Sequence, residues 1–318
     1  MGVILTVMAN PALDVTYRVD RLAPTSTHRV HSVHRRAGGK GANVARVVRW
    51  LGHEVRLAGP VGGVTGEAVR ADLVAAGVEH DLVPISGETR RTVTVVSDDD
   101  GRATVFNEPG PDVAEREWSD LVELVERRID QVSAVVFSGS LPGSAPDDVY
   151  ARLMAVASTQ GIPTVLDTSG PALRSGVLGG PDLVKPNAAE LHELTGLSDP
   201  EQGARALRDE GARNVVVSLG REGLLAVTSE GTWRARPSEE VFGNPTGAGD
   251  ALVAALTVGM VTGEPWPERL REAVAVSAAA VAAPVAGDID QNHYRRERVA
   301  AGVRAAEKER DHAAGRNR

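Results

Sequence analysis

The sequence predicts an α/β fold: a doubly wound, mostly parallel central sheet covered by helices on both faces, with a small separate β-sheet over one end. Three observations predict it. Short apolar runs alternate along the chain with segments of helical periodicity, the pattern of strand–helix–strand units. These runs are rich in Val, Leu and Ile, as in strands buried on both faces. Two stretches in the first third break the rhythm and read as strands joined by turns, with no helix between them.

In chain order, the strand-like runs are Val3–Met8, Val55–Ala58, Ala134–Ser138, Thr164–Asp167, Leu183–Lys185, Val215–Leu219 and Leu224–Val227. Ala42–Leu51 places Val44, Val47, Val48 and Leu51 at helical spacing, and Trp118–Ile129 does so with Leu121, Val122, Val125 and Ile129. Helical segments Asp147–Gln160, Ala188–Thr195, Gly203–Gly211 and the apolar Ala251–Val261 follow. The two exceptional stretches are Asp14–Arg36, two polar strands around Ala23-Pro24-Thr25-Ser26, and Arg91–Asn107, where RTVTVVS and RATVFN flank the turn DDDG. They are expected to form a lid, about residues 14–36 and 91–107, on a single domain spanning 1–318. From about Arg304 the chain is highly charged and is expected to be a helix end and a frayed tail.

Composition narrows the function classes. Aromatics are only 3% of the 318 residues, so the core must be built from Val, Leu, Ile and Ala. A net charge of -8 argues against non-specific nucleic-acid binding, which needs a cationic face. The absence of cysteine excludes disulfides, thiolate zinc sites and cysteine nucleophiles. The eight histidines show no metal-ligand spacing such as HExxH. The apolar N-terminal run has no basic stretch before it and reads as a buried strand rather than a signal peptide. Ala251–Val261 and Ala273–Ala286 are too short to span a membrane. A cytoplasmic protein with no membrane or nucleic-acid partner is expected.

Four motifs carry chemistry. Asn244-Pro245-Thr246-Gly247-Ala248-Gly249-Asp250 leads into an apolar helix. Gly-rich backbone at a helix N-terminus makes an anion site, and an Asp at its rim can take a proton from an attacking hydroxyl. Alternatively, Asp250 only stabilises its own first turn. Gly38-Gly39-Lys40-Gly41-Ala42-Asn43 also opens a helix but is not a P-loop, because His34 stands where the first Gly belongs. It either lets a polyhydroxyl ligand lie on the backbone beside Asn43 or is a plain turn. Lys185-Pro186-Asn187-Ala188-Ala189-Glu190 has capping-box spacing and also suits polyphosphate, with Glu190 ordering Mg²⁺ through water. Ser218-Leu219-Gly220-Arg221-Glu222-Gly223 is a turn able to position phosphates or merely to join strands. Arg29, Lys40, Arg90 and Arg91 fall where the lid should meet the sheet, and arginine suits bidentate phosphate recognition.

Taken together, these residues resemble the PfkB, or ribokinase-like, family of carbohydrate kinases, and most of all its 1-phosphofructokinase and tagatose-6-phosphate kinase branch. The resemblance runs in order through NPALD (10–14), GGKGANVARV (38–47), Thr89-Arg90, SGSLP (138–142), LDTSG (166–170), KPNAAEL (185–191), SLGREG and GAGD. It implies a ribokinase-like three-layer sandwich with a β lid, and it implies ATP and Mg²⁺. It makes Asp250 the base and Gly247, Ala248 and Gly249 the anion hole. It puts Lys185, Asn187 and Glu190 at the nucleotide phosphates and metal, and Ser218, Gly220 and Gly223 on the nucleotide side. Sugar contacts fall to Asp14, Gly38, Gly39, Asn43 and Ser138, and the substrate's phosphate to Arg29, Lys40 and Arg90. A homodimer through the lid is expected. Fructose 1-phosphate is the leading substrate and tagatose 6-phosphate the next. Rivals are a kinase of an unphosphorylated sugar or nucleoside, and a sugar-phosphate sensor on a retired kinase fold.

Overall fold

The computed structural model describes residues 2–306. The first half of the chain forms β1 (Val3–Val7), β2 (Ala12–Val19), β3 (Ser32–Gly38), α1 (Lys40–Trp50), β4 (Val55–Val61), α2 (Gly63–Ala75), β5 (Glu79–Pro84), β6 (Arg90–Ser97), β7 (Ala103–Asn107), α3 (Glu115–Arg128), β8 (Val132–Ser138) and α4 (Val149–Thr159). The second half forms β9 (Thr164–Asp167), α5 (Gly170–Leu178), β10 (Leu183–Val184), α6 (Ala188–Thr195), α7 (Pro200–Glu210), β11 (Val215–Ser218), β12 (Leu224–Val227), β13 (Thr232–Arg236), α8 (Ala248–Val261), α9 (Trp266–Ala282), α10 (Gln291–Ala300) and β14 (Gly302–Ala305).

Ten strands make the main sheet in the order β14-β13-β12-β11-β10-β9-β8-β1-β4-β5. From β11 to β5 every pairing is parallel, while β11–β12, β12–β13 and β13–β14 are antiparallel. Strand alternation divides the core in two. Ile4 joins one cluster with Val136, Val165 and Val216, against α1, α8 and α9. Leu5 and Val7 join the other with Val135, Phe137 and Leu166, against α3, α4 and α7. Helix α8 is apolar all round because it is enclosed: ten of its residues are buried, and its alanines let α1 and α9 pack closely.

Strands β3-β2-β6-β7 form the small sheet, with β2 and β6 parallel and the other two pairs antiparallel. One face, with Leu13 and Val15, packs on the core beside α2. The other face carries Asp14, paired across β2 and β6 with Thr92 and across β2 and β3 with Arg36.

The C-terminal expectation needs correction. Helix α10 stops at Ala300, and Gly302–Ala305, including Arg304, is a strand rather than a helix end. The reason is non-local: Val303 pairs with Ala235 on the otherwise open edge of β13, and sheet hydrogen bonds outweigh the local charge pattern. The rest of the expected tail lies outside the described residues. The sequence reading also passed over α2, β5, α5, β13 and α10, whose apolar periodicity is weak or whose length is short.

Candidate active site

Strand β1 lies between β8 and β4, so the chain builds outward from it in both directions. In open α/β sheets a crevice forms beyond the strand C-termini where the order reverses. Here that crevice is a cleft of about 730 Å³, reached by residues at or just after the ends of β1 (Asn10), β8 (Gly139), β9 (Asp167), β10 (Lys185) and β11 (Ser218). The small sheet supplies the other wall through Asp14, Arg90 and Thr92, and α8 enters with Gly247, Gly249 and Asp250.

Asp250 stands in the first turn of α8, 6% exposed, and Asn43 Nδ2 donates to its Oδ2 at 2.8 Å. Burial, then the charge of Asp167, pushes its carboxyl up to about 6 against the pull of Asn43, Lys40 and Lys185. Gly247 has φ +86, and a side chain there would meet Ala286 Cα at 3.0 Å and Gly287 N at 3.1 Å. Only glycine fits this turn, which opens the N-terminus of α8 beside the cleft.

Asp167 is the electrostatic hub. It is 1% exposed, and its Oδ1 meets Lys40 Nζ at 3.3 Å and Lys185 Nζ at 3.2 Å. Ser138 Oγ donates to its Oδ2 at 3.5 Å. Burial raises the Asp167 carboxyl, but the two ammonium groups outweigh it and hold the group below the usual carboxylate range. Burial likewise opposes the Lys40 charge, and Asp167, Asp250 and Glu190 overcome it and hold this ammonium above its ordinary value. Two fixed cations thus lie beside the buried carboxylate of Asp250.

On the small-sheet side, burial pushes Asp14 up to about 6, opposed chiefly by Arg90. A Cβ on residue 38 would lie 2.0 Å from Asp14 Cγ, so Gly38 makes room for this carboxylate. The Arg90 Nε donates to Asn10 O at 3.3 Å and its Nη1 to Thr92 and to Glu108 O, which orients the guanidinium and leaves donors for a ligand.

A second groove of about 390 Å³ adjoins the cleft through Asn187, Ser218 and Gly249. Gly220, Gly223 and Ala248 line it with the apolar Leu224, Val241, Leu252 and Val281. Asn187 caps α6 by accepting from Glu190 N at 2.9 Å, while Glu190 Oε2 accepts from Asn187 N at 2.8 Å. The capping box therefore exists, and Glu190 still reaches the cleft, with no partner on Oε1 among the described residues.

Residues 7–292 match the pfkB family carbohydrate kinases. The chain belongs to the pfkB family of carbohydrate kinases. It is an ATP-dependent sugar kinase. Its fold is similar to phosphofructokinase-2 from Escherichia coli in complex with potassium, at 30% identity and TM-score 0.87 over 94% of this chain and 99% of that one. The same enzyme in complex with fructose-6-phosphate matches at 31% identity and TM-score 0.84, over 93% and 99% of the two chains. A possible 1-phosphofructokinase from Thermotoga maritima matches at 25% identity and TM-score 0.86, over 96% and 100%.

Most residues singled out in the kinase sequence converge. Asp14, Gly39, Lys40, Asn43, Arg90, Lys185, Asn187, Glu190, Ser218, Gly247, Gly249 and Asp250 all line the cleft. Gly38 and Ser138 do not line it; they sit behind Asp14 and Asp167. Arg29 is exposed in the connection between β2 and β3, outside the cleft of its own chain. Arg91 faces away and donates to Thr65 Oγ1 at 3.2 Å. The sequence reading assigned no role to Asp167 or Asn10. Asp167 had a legible signal, a carboxylate ending the apolar run TVLD. Asn10, 5% exposed, donates to Pro109 O and Ser140 Oγ, which ties three loops together, and only the tertiary fold brings those loops to it.

Proposed function

We propose that the kinase transfers the γ-phosphoryl group of ATP to a hydroxyl of a ketohexose phosphate, with fructose 1-phosphate as the leading substrate and fructose 1,6-bisphosphate as product. The observation that carries this reading is one cleft holding a buried carboxylate at a glycine-bounded helix N-terminus together with Arg90 and Lys40. Asp250, as base, takes the hydroxyl proton as that oxygen attacks in line. The N–H groups of Gly247 and Gly249, beside the Ala248 N–H that donates to Pro245 O at 3.2 Å, stabilise the charge that develops on the transferred group.

Lys185 and Asn187 contact the nucleotide phosphates, and Ser218, Gly220 and Gly223 form the nucleotide side of the adjoining groove. Glu190 suits Mg²⁺ held through water: it offers oxygen donors in an open, polar cleft, and Mg²⁺ keeps most of its hydration shell. When bound there, Mg²⁺ neutralises phosphate charge. Asp14, Asn43 and the Gly39 backbone hold sugar hydroxyls, while Gly38 and Ser138 act by seating Asp14 and Asp167. Arg90 and Lys40 hold the phosphate that the sugar already carries. An unphosphorylated sugar or nucleoside offers these cations no anion.

The small sheet acts as a lid whose closure excludes water from the γ-phosphate. A homodimer through this sheet is supported by exposed Val33, Val105 and Phe106 and by the open outer edges of β3 and β7. Such pairing is the setting in which Arg29 would meet a phosphate, in the partner's cleft. The cytoplasm, with its ATP and sugar phosphates, is the proposed compartment. A second substrate reading, fructose 6-phosphate, is favoured by the likeness to the phosphofructokinase-2 complex with that sugar.

The test is ADP release with MgATP across fructose 1-phosphate, fructose 6-phosphate, tagatose 6-phosphate, free hexoses and nucleosides. Dominant turnover on fructose 1-phosphate supports the leading reading. Preference for fructose 6-phosphate moves the second to the front. Turnover only on an unphosphorylated sugar overturns the use of Arg90 and Lys40, and rapid ATP hydrolysis without sugar counts against a closing lid.

A further inference from the structure

His293 and Glu297 are one helical turn apart on α10 and share a face. That face is turned inward: His293 is 7% exposed and Glu297 1%. The loop leaving β13 brings Glu239 to them, and one donor atom from each of the three lies within 4.8 Å of the other two. Glu297 accepts from Ser238 N at 2.9 Å and from Ser238 Oγ. Among the described residues no Lys, Arg or His lies within ion-pair distance of it, and a buried carboxylate without a counter-charge is costly. His293 Nε2 is likewise buried and, among the described residues, has no hydrogen-bond partner. A buried carboxylate and a buried imidazole therefore lie together, with the exposed carboxylate of Glu239 beside them.

We propose that Glu239, His293 and Glu297 form a divalent-cation site, separate from the catalytic cleft. One imidazole with two carboxylates suits a borderline cation such as Zn²⁺, since Mg²⁺ and Ca²⁺ prefer all-oxygen shells. Zn²⁺ bonds of about 2.0–2.2 Å hold donor atoms about 3–4 Å apart, so the cluster closes by a small movement of the exposed Glu239, and water completes the shell. Metal on Nε2 puts the ring proton on Nδ1. The exposed Arg296 guanidinium, now 3.2 Å from Nδ1, then turns to solvent. The ion would staple to α10 the segment that runs from β13 to the glycine turn at Gly247. Pro237, Glu240 and Val241 of that segment wall the nucleotide groove, so the staple braces the groove from behind.

The experiment uses the full chain without nucleotide or Mg²⁺. It is dialysed against buffered Zn²⁺, and bound metal is counted. The expected result is about one Zn²⁺ per chain, with affinity at least about tenfold weaker in Glu239→Gln and in His293→Gln. Zn²⁺ should also raise the melting temperature of the unmodified protein and not that of Glu239→Gln. Glu239 is exposed and lies outside cleft and groove, so this variant keeps its fold and its MgATP turnover and decides the matter even where His293→Gln fails to fold. No stoichiometric Zn²⁺, or equal affinity in the unmodified chain and Glu239→Gln, overturns the proposal.

Discussion

Asp250 and Asp14 face the same cleft, and burial pushes both to about 6, yet they stand in opposite electrostatic settings. Asp250 belongs to the main body. After burial, its strongest influence is a like charge, Asp167, and its direct hydrogen-bond partner is the neutral amide of Asn43. Asp14 belongs to the small sheet, and there the strongest opposing influence is the cation Arg90. A raised carboxyl is therefore not a role in itself. Beside a like charge and a neutral amide it suits the proposed base; beside a guanidinium it suits the proposed anchor for a polar ligand.

The largest expected effect tests the base. Asp250→Asn keeps the shape and the Asn43 contact but cannot accept a proton, so kcat should fall by about 10³-fold while calorimetric binding of sugar phosphate persists. Near-normal turnover would remove the distinction between the two carboxylates. Next is the anchor side. Arg90→Ala should raise KM for a sugar phosphate by about 10–100-fold with a small change in kcat, the range for losing a hydrogen bond to a charged group. An unchanged KM would detach the small sheet from substrate recognition.

Gly38→Ala is expected to harm sugar binding without touching the phosphoryl side. The added Cβ occupies the space of the Asp14 carboxylate, so KM for sugar should rise several-fold, roughly tenfold, while KM for ATP holds. The smallest effect is in the pH profile. Both carboxylates must be ionised, so kcat/KM should fall as pH drops through about 6, steepening toward two protons. Asp14→Asn should leave a one-proton limb. Asp167→Asn removes the charge that helps raise Asp250 and should move the Asp250 component of the limb to lower pH while the Asp14 component stays near 6, measured across buffers from about pH 5 to about pH 8.

The parts differ in how legible they were. The parallel sheet, the hairpin between Arg90 and Asn107 and the first turn of α8 could be read directly, since each is written in contiguous residues: apolar runs, a DDDG turn, glycines before an apolar helix. Arg91 was grouped with Arg90 where the lid should meet the sheet, and Arg29 was assigned to the substrate's phosphate by the family resemblance. Alternation along a strand sends Arg91 to the opposite face from Arg90, and Arg29 lies in an exposed connection. Gly38 and Ser138 were read as sugar contacts, but they stand one layer back. That layer is visible only once Asp14 and Asp167 have positions in space.

The sequence alone determined the α/β class, the strand-ended motifs and the family, because periodicity and local turn chemistry are properties of neighbours along the chain. The tertiary structure alone decided that Asp167 would hold Lys40 and Lys185, residues 127 positions before it and 18 after it. It also decided that Val303 would complete a sheet edge and that Asp250 would face Asn43 across a separation of 207 residues. Burial and Coulomb interaction depend on distance in space, and that distance is set only when the sheets and helices have packed.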